Sequence, residues 1–305
     1  MGLYLTILVQ VVAVMVLTAV AGLVTCWIDR KVTARVQMRV GPPLLQPFYD
    51  IGKLMIKETC VPVGAPRQVF LLAPVLGLAG VTAASLILCH NVCRPGSAFV
   101  GDLIVLLYLL ALPAIAVIIG AFASRNPLAS VGGSREMKLM MSYEVPLILS
   151  LIVPIMKAKS IQLASVSAAS SVPDVSGIIA VVVALVCVQA KLTQVPFDCP
   201  EAETELAGGA YIEYSGPPLG IYKLTRAMMM FTMPLFLIVV FLGGANIRQP
   251  MSMLYGVLKY VVIVVLIVLI RNTAPRVRID QATRFFWGPM TVAALLAVVL
   301  AASGM

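Results

Sequence analysis

Eight apolar runs divide the chain, at about residues 3–26, 69–89, 103–122, 141–157, 177–193, 227–243, 252–270 and 288–304. Most are long enough to cross the ~30 Å hydrocarbon layer of a bilayer. A backbone N–H or C=O finds no water there, so a crossing segment must satisfy its own hydrogen bonds and becomes a helix. Residues are 61% hydrophobic and the mean hydropathy is +1.02, which excludes an ordinary soluble domain. The expected fold class is an all-α integral membrane protein. It has about eight transmembrane helices, with interfacial and loop helices on the cytoplasmic side, in one polytopic domain over 1–305. No basic region precedes the first run, which reads as a crossing helix rather than a cleavable signal.

Orientation follows from the bases. The loops after runs one, three, five and seven (27–68, 123–140, 191–226 and 271–287) hold seventeen of the 22 Lys and Arg. Those after runs two, four and six hold four, and Lys259 lies inside the seventh run. The positive-inside rule places the base-rich loops in the cytoplasm and both termini outside, in a multi-pass protein of the cytoplasmic (inner) membrane. The same distribution explains the net charge of +9 without a nucleic-acid partner.

Metal and haem chemistry find no donor set. The six Cys are scattered, there is one His, and Cys89-His90-x-x-Cys93 matches neither a zinc pair nor a haem attachment motif. Iron–sulfur ligation has no support either, so no cofactor is expected in this chain.

In the first cytoplasmic loop, Arg35 and Arg39 precede the break at Gly41-Pro42-Pro43. Residues 46–58 then place Tyr49, Gly52 and Ile56 on one side with Lys53 and Lys57 nearby, an amphipathic helix for the interface plane. These bases meet either lipid phosphates or an acidic neighbouring subunit. In the last loop, Arg271, Arg276, Arg278 and Arg284 surround Asp280 ahead of Phe285-Phe286-Trp287, with Trp287 an interface anchor. Those arginines either brace acids of the third loop or only set the topology.

The third cytoplasmic stretch, 191–226, concentrates the acids: Asp198, Glu201, Glu203, Glu205 and Glu213 are five of thirteen in the chain. Asp198-x-x-Glu201 has capping-box spacing with Pro200 in the first turn, which predicts a short helix carrying Glu201 and Glu205 on one face. Carboxylates so placed repel unless a proton or a cation intervenes. The stretch is either a solvated acidic loop or a structured acidic site, and the turn residues Gly208-Gly209 and Ser215-Gly216-Pro217-Pro218 around Glu213 favour the second. Glu144 opens the fourth run beside Pro146 and faces either water or a polar path within the bundle. Lys259 lies too deep to snorkel easily and needs a partner. Asp102 reads as a surface acid.

Four motifs in order carry a resemblance. Residues 35–58 (RVQMRVGPPLLQPFYDIGKLMIKE), 142–146 (SYEVP), 195–216 (VPFDCPEAETELAGGAYIEYSG) and 271–287 (RNTAPRVRIDQATRFFW) resemble the membrane subunit that joins the two arms of respiratory complex I. The resemblance covers nearly the whole chain. It implies a subunit with no cofactor of its own, seated beneath an iron–sulfur arm. Glu144, Asp198, Glu201, Glu203, Glu205 and Glu213, with Lys259 as a deep charge partner, would form an ion-coupling path. Arg35, Arg39, Lys53, Lys57, Arg276, Arg278, Asp280 and Arg284 would dock the arm.

Some positions depart from the quinone-reducing pattern. Thr225-Arg226 stands where a further acid is usual, Pro217-Pro218 follows the EYSG stretch, and Arg35 and Met38-Arg39-Val40-Gly41 replace a longer basic wording. These look more like the homologous subunit of energy-converting membrane-bound [NiFe] hydrogenases of the Ech or formate hydrogenlyase type. The implied function is membrane anchoring and coupling of ferredoxin- or formate-driven proton reduction to proton or sodium movement. The implied partners are hydrogenase large and small subunits carrying [NiFe] and iron–sulfur clusters, and an antiporter-like membrane subunit. The alternatives are a quinone-chamber subunit of an NADH:quinone oxidoreductase and a purely structural docking platform.

Overall fold

The computed structural model describes residues 2–94, 99–169, 174–244 and 249–304. Among the described residues every regular element is helical: α1 (Gly2–Val36), α2 (Gln46–Ile56), α3 (Arg67–Cys93), α4 (Asp102–Ala123), α5 (Pro127–Ala158), α6 (Leu163–Ala168), α7 (Val175–Lys191), α8 (Glu203–Leu206), α9 (Pro217–Phe241), α10 (Pro250–Thr273), α11 (Ile279–Phe285) and α12 (Thr291–Ala302). A short 3-10 turn (Gly209–Tyr211) precedes α9, and a π turn (Phe286–Met290) joins α11 to α12. Seven of these helical stretches are long and apolar enough to cross a membrane, counting α11 through α12 as one. The remaining apolar run became α7, whose 17 residues rise about 26 Å, at the lower limit for a crossing.

Three helices outrun the apolar runs that predict them. Helix α1 continues ten residues past Cys26, α5 begins at Pro127 instead of 141, and α9 begins at Pro217 instead of 227. Proline suits a helix start because its missing N–H would have no partner there. Polar residues do not end a helix, so Arg30, Arg135, Glu144, Lys223 and Arg226 are carried on helices rather than in loops. Helix α5 also runs unbroken through Pro146 and Pro154.

The chain forms two compact units. The first comprises Met1–Leu86, Tyr108–Met137 and Asp198–Thr232. Its core gathers Phe70, Ala116, Ala123, Tyr214 and Tyr222. The Phe70 and Tyr214 rings stack at 4.1 Å, the Tyr214 hydroxyl donates to the Phe70 carbonyl (3.1 Å), and the Tyr222 hydroxyl donates to the Ala116 carbonyl (2.9 Å). Both buried hydroxyls thus find acceptors, as a dry core requires. Helix α1 meets α9 at Gly22, where an added Cβ would lie 2.4 Å from the Ala227 carbonyl oxygen. A clasp holds α2 to α1: Arg30 Nη1 donates to Asp50 Oδ2 at 2.8 Å, and Gln46 Nε2 to Asp50 Oδ1 at 3.0 Å. Partial burial alone would raise the Asp50 pKa. The hydrogen bonds from Arg30 and Gln46, with the charges of Arg30 and Lys53, outweigh it and hold the carboxyl below its usual value.

The second unit comprises Ile87–Leu107, Lys138–Phe197 and Met233–Met305. Helices α7 and α12 pack together in it. Phe286, fully buried, meets Phe197 at 4.8 Å and Tyr143 at 6.5 Å, and the Lys191 ammonium lies 5.6 Å above the Tyr143 ring. Asp102 is not a surface acid: it is 2% exposed, and its Oδ1 accepts from the Leu103 and Leu163 backbone N–H groups. It ties the start of α4 to the start of α6.

Valine or leucine at Gly22 is expected to drive α1 off α9, at about 1–3 kcal/mol for an overpacked contact. Thermal unfolding of the purified chain in detergent reads this as a lowered midpoint; an unchanged midpoint removes the Gly22–Ala227 contact from the fold.

Candidate functional site

The acidic stretch folds back onto α5 and α9 within the first unit. Gly132 of α5 allows this approach, since a Cβ there would sit 2.6 Å from the Ala210 nitrogen and 3.0 Å from the Pro200 oxygen. The predicted capping box does not form. Helix α8 starts only at Glu203 with Ala202 as its N-cap, and Glu201 lies in the turn before it. Glu201 and Glu205 therefore do not share a helix face.

Each acid has its own arginine instead. Arg226 Nη1 donates to both carboxylate oxygens of Glu201, at 2.6 and 2.5 Å. Arg135 Nη1 donates to Glu205 Oε2 at 2.7 Å and to the Cys199 carbonyl at 3.4 Å. The repulsion expected between the two carboxylates is thus relieved by separation and pairing. The last loop was one expected source of such arginines; these two lie on α9 and α5. Glu213 accepts from Asn126 Nδ2 at 2.5 Å. Asp198 is half-buried, and the side chain of Glu203 lies outside the described residues.

A cavity of about 330 Å³ opens beside the Glu201–Arg226 pair, walled by Tyr211, Ile212, Leu219, Tyr222 and Lys223. Aromatic and aliphatic walls with a few charged groups suit a flat organic ring or an ordered water chain. Burial raises the phenol pKa of Tyr211, with the Glu201 charge adding to the effect. It pushes Tyr214 to about 12, against a hydrogen bond with Tyr222 that lowers it. These phenols stay protonated at any physiological pH. Burial likewise pushes the Cys199 thiol up to about 11, despite the opposing Arg135 charge.

The other sequence-derived residues are spread more widely. Glu144, half-buried on α5 beside the fully buried Tyr143, belongs to the second unit. So does Lys259, which donates to the Leu242 carbonyl at 2.5 Å, supplying a charge to the C-terminal end of α9. Arg35, Arg39, Lys53, Lys57, Arg276, Arg278, Asp280 and Arg284 are all exposed. Sequence reasoning missed Arg135, Arg226 and Asn126 as partners of the acids. It also missed Glu136, only 2% exposed, whose charge acts on Cys199 and Tyr211. The available signal was an arginine seven helical residues before Met233, in a run otherwise apolar: such a charge needs a partner. Among the described residues no group of three or more His, Cys, Asp and Glu side chains is placed to hold a metal ion.

The NADH dehydrogenase family matches residues 8–302. An NADH-quinone oxidoreductase membrane-complex component from Brevibacillus brevis is 35% identical, over 96% of this chain and 91% of that protein. The protein of the same description from Anoxybacillus flavithermus is 36% identical, over 95% and 92%. Among solved structures, a chain of the membrane-bound sulfane sulfur reductase, an archaeal respiratory membrane complex, has the same fold. Its TM-score is 0.87 at 24% identity, covering 99% of this chain and all of that one.

Two outcomes are expected at this site. A double-mutant cycle with Glu201→Gln and Arg226→Gln should give a coupling of about 1–3 kcal/mol, as for a charged hydrogen bond with partial burial. The same cycle on Arg135 and Glu205 should give less than about 1 kcal/mol, because solvent screens the pair; the Glu205 side chain is 57% exposed. Equal couplings would contradict the difference in burial. Separately, alkylation at pH 8 should label the exposed Cys60 at least ~100-fold faster than Cys199, whose thiolate fraction is about one in a thousand there. Comparable rates would mean that Cys199 is not buried.

Proposed function

The chain belongs to the NADH dehydrogenase family, and from that premise we propose that it is the quinone-chamber and coupling subunit of a membrane-bound respiratory NADH:quinone oxidoreductase. The observation that carries this reading is its 35–36% identity, over nine-tenths of their length, to proteins described as components of NADH-quinone oxidoreductase. That identity favours the quinone alternative over the hydrogenase reading that the departures at Arg226 and Pro217-Pro218 suggested. The likeness to a chain of the sulfane sulfur reductase complex supports the fold and leaves the electron acceptor to the closer relatives.

In this reading the subunit performs no redox step. It sits in the cytoplasmic (inner) membrane with both termini outside, and the loops 27–68, 123–140, 191–226 and 271–287 seat a peripheral arm that holds the iron–sulfur clusters. Arg35, Arg39, Lys53, Lys57, Arg276, Arg278, Asp280 and Arg284 meet that arm. The cavity beside Glu201 and Arg226 takes the quinone ring against Tyr211, Tyr222 and Leu219. A negative charge developing on the ring competes with Glu201 for Arg226. Each unit by which a neighbouring pKa moves is worth about 1.4 kcal/mol, so the competition can pass a proton demand along the acids. Glu201, Glu203, Glu205, Glu213 and Asp198 are the near members, Glu144 a relay and Lys259 a deep charge. An antiporter-like membrane subunit receives the proton or sodium ion.

The assembled complex in proteoliposomes tests this. NADH-dependent quinone reduction with ion uptake is expected. Glu144→Gln should lower ions moved per electron about tenfold or more, as loss of a proton-transfer group does, with assembly retained. Hydrogen evolution from reduced ferredoxin without quinone reduction would return the hydrogenase reading. Unchanged pumping in Glu144→Gln, Glu201→Gln and Glu205→Gln alike would leave only a docking platform.

A further inference from the structure

A second cavity, of about 450 Å³, lies among α1, α2 and α9 in the first unit. Three contacts fix its walls. Gly22 brings α1 onto the Ala227 backbone, Gly220 brings α9 within 3.3 Å (from an added Cβ) of the Leu54 Cβ on α2, and Arg30 clasps Asp50 between α1 and α2. The cavity differs from the one beside Glu201, although Lys223 lines both.

Its lining changes character along the helices. Leu23, Cys26 and Ala227 lie at one level, Arg30, Asp50, Lys53 and Lys223 at the other. From Leu23 to Arg30 is seven helical residues, a rise of about 10 Å. Over that distance the wall passes from hydrocarbon to a group of three cations and one carboxylate. Arg30 is engaged by Asp50, while among the described residues neither the Lys53 nor the Lys223 ammonium forms an ion pair, and both are exposed. At the apolar end the stripe of α1 that holds Leu23 continues through Val20 and Val16, which are 46% and 53% exposed. These positions repeat at helical spacing, so the apolar floor opens onto a continuous apolar track.

A small anion would use the cations and leave the track idle. A neutral ring would use the floor and leave two ammonium groups uncompensated. An amphiphile with an anionic head and long apolar chains satisfies both ends. We infer that this cavity is a binding site for an anionic phospholipid, its phosphate on Lys53 and Lys223 and its chains running along the α1 stripe from Leu23 to Val16. The cavity volume accommodates the head and glycerol, with the chains outside it against α1. Bound there, the lipid forms a wall to α2 and α9, the second of which also carries Arg226. The inference is independent of which acceptor the complex reduces.

The test uses the purified complex in nanodiscs of phosphatidylcholine, with or without phosphatidylglycerol, and amine acylation read by mass spectrometry. Phosphatidylglycerol should slow acylation of Lys53 and Lys223 roughly tenfold, each lysine–phosphate attraction being worth about 1 kcal/mol. Lys57, outside the cavity, should keep its rate relative to the other surface lysines. Equal rates in the two lipids would overturn the site. The same protection by inorganic phosphate alone would make it a simple anion site, and by a neutral quinone in phosphatidylcholine a quinone site; either also overturns the inference. In native mass spectrometry, Lys53→Gln with Lys223→Gln should lose retained phosphatidylglycerol about tenfold or more, and the Arg pair should keep it. Should the Gln pair fail to assemble, the acylation of the unmodified protein decides.

Discussion

A charge inside or beside a bilayer must be partnered within reach, because neither lipid nor a packed helix bundle solvates it. The first unit is arranged around that constraint. Glu201 and Glu205 each take an arginine, from α9 and from α5, and Glu213 takes the Asn126 amide. The alternative arrangement, two carboxylates on one short helix, would need a proton or a bound cation to hold it. The pairs also locate the loop: they pin its turns to two long helices, while the Gly132 contact sets how closely it lies on α5.

Length follows from the same requirement. Helices α1, α5 and α9 have 35, 32 and 25 residues, and the extensions carry the partnering side chains. Arg30 reaches Asp50 from beyond the apolar run of α1, Arg135 reaches Glu205 from the polar start of α5, and Arg226 reaches Glu201 from the early turns of α9. Rigid helices hold such pairs better than loops would, since less side-chain and backbone freedom is lost on pairing. Lys259 obeys the rule differently, with a backbone carbonyl as its partner.

The helices themselves were legible, because hydropathy over twenty residues is a strong signal and hydrocarbon permits little else. The amphipathic α2 and the clustering of acids were legible for similar reasons: both are local patterns. Helix ends were not, since α1, α5 and α9 continue through polar residues that hydropathy reads as loop. The capping-box spacing at Asp198 misled because the turn around Pro200 is set by packing on Gly132, a contact distant in sequence. Asp102 was misjudged for the same reason: its ligands are backbone groups at Leu103 and Leu163, and the second lies sixty-one residues on. Pairings such as Arg135 with Glu205 span seventy residues and leave no local trace.

The dependence of the site on acids held singly by arginines is open to direct observation. A high-resolution density map of the assembled complex in its resting state would show the side chains of residues 198–226 with their partners in place. It should place the Arg226 guanidinium on both oxygens of Glu201 and the Arg135 guanidinium on Glu205. Density with the two carboxylates facing one another, or facing lipid with neither arginine within hydrogen-bond reach, would contradict it.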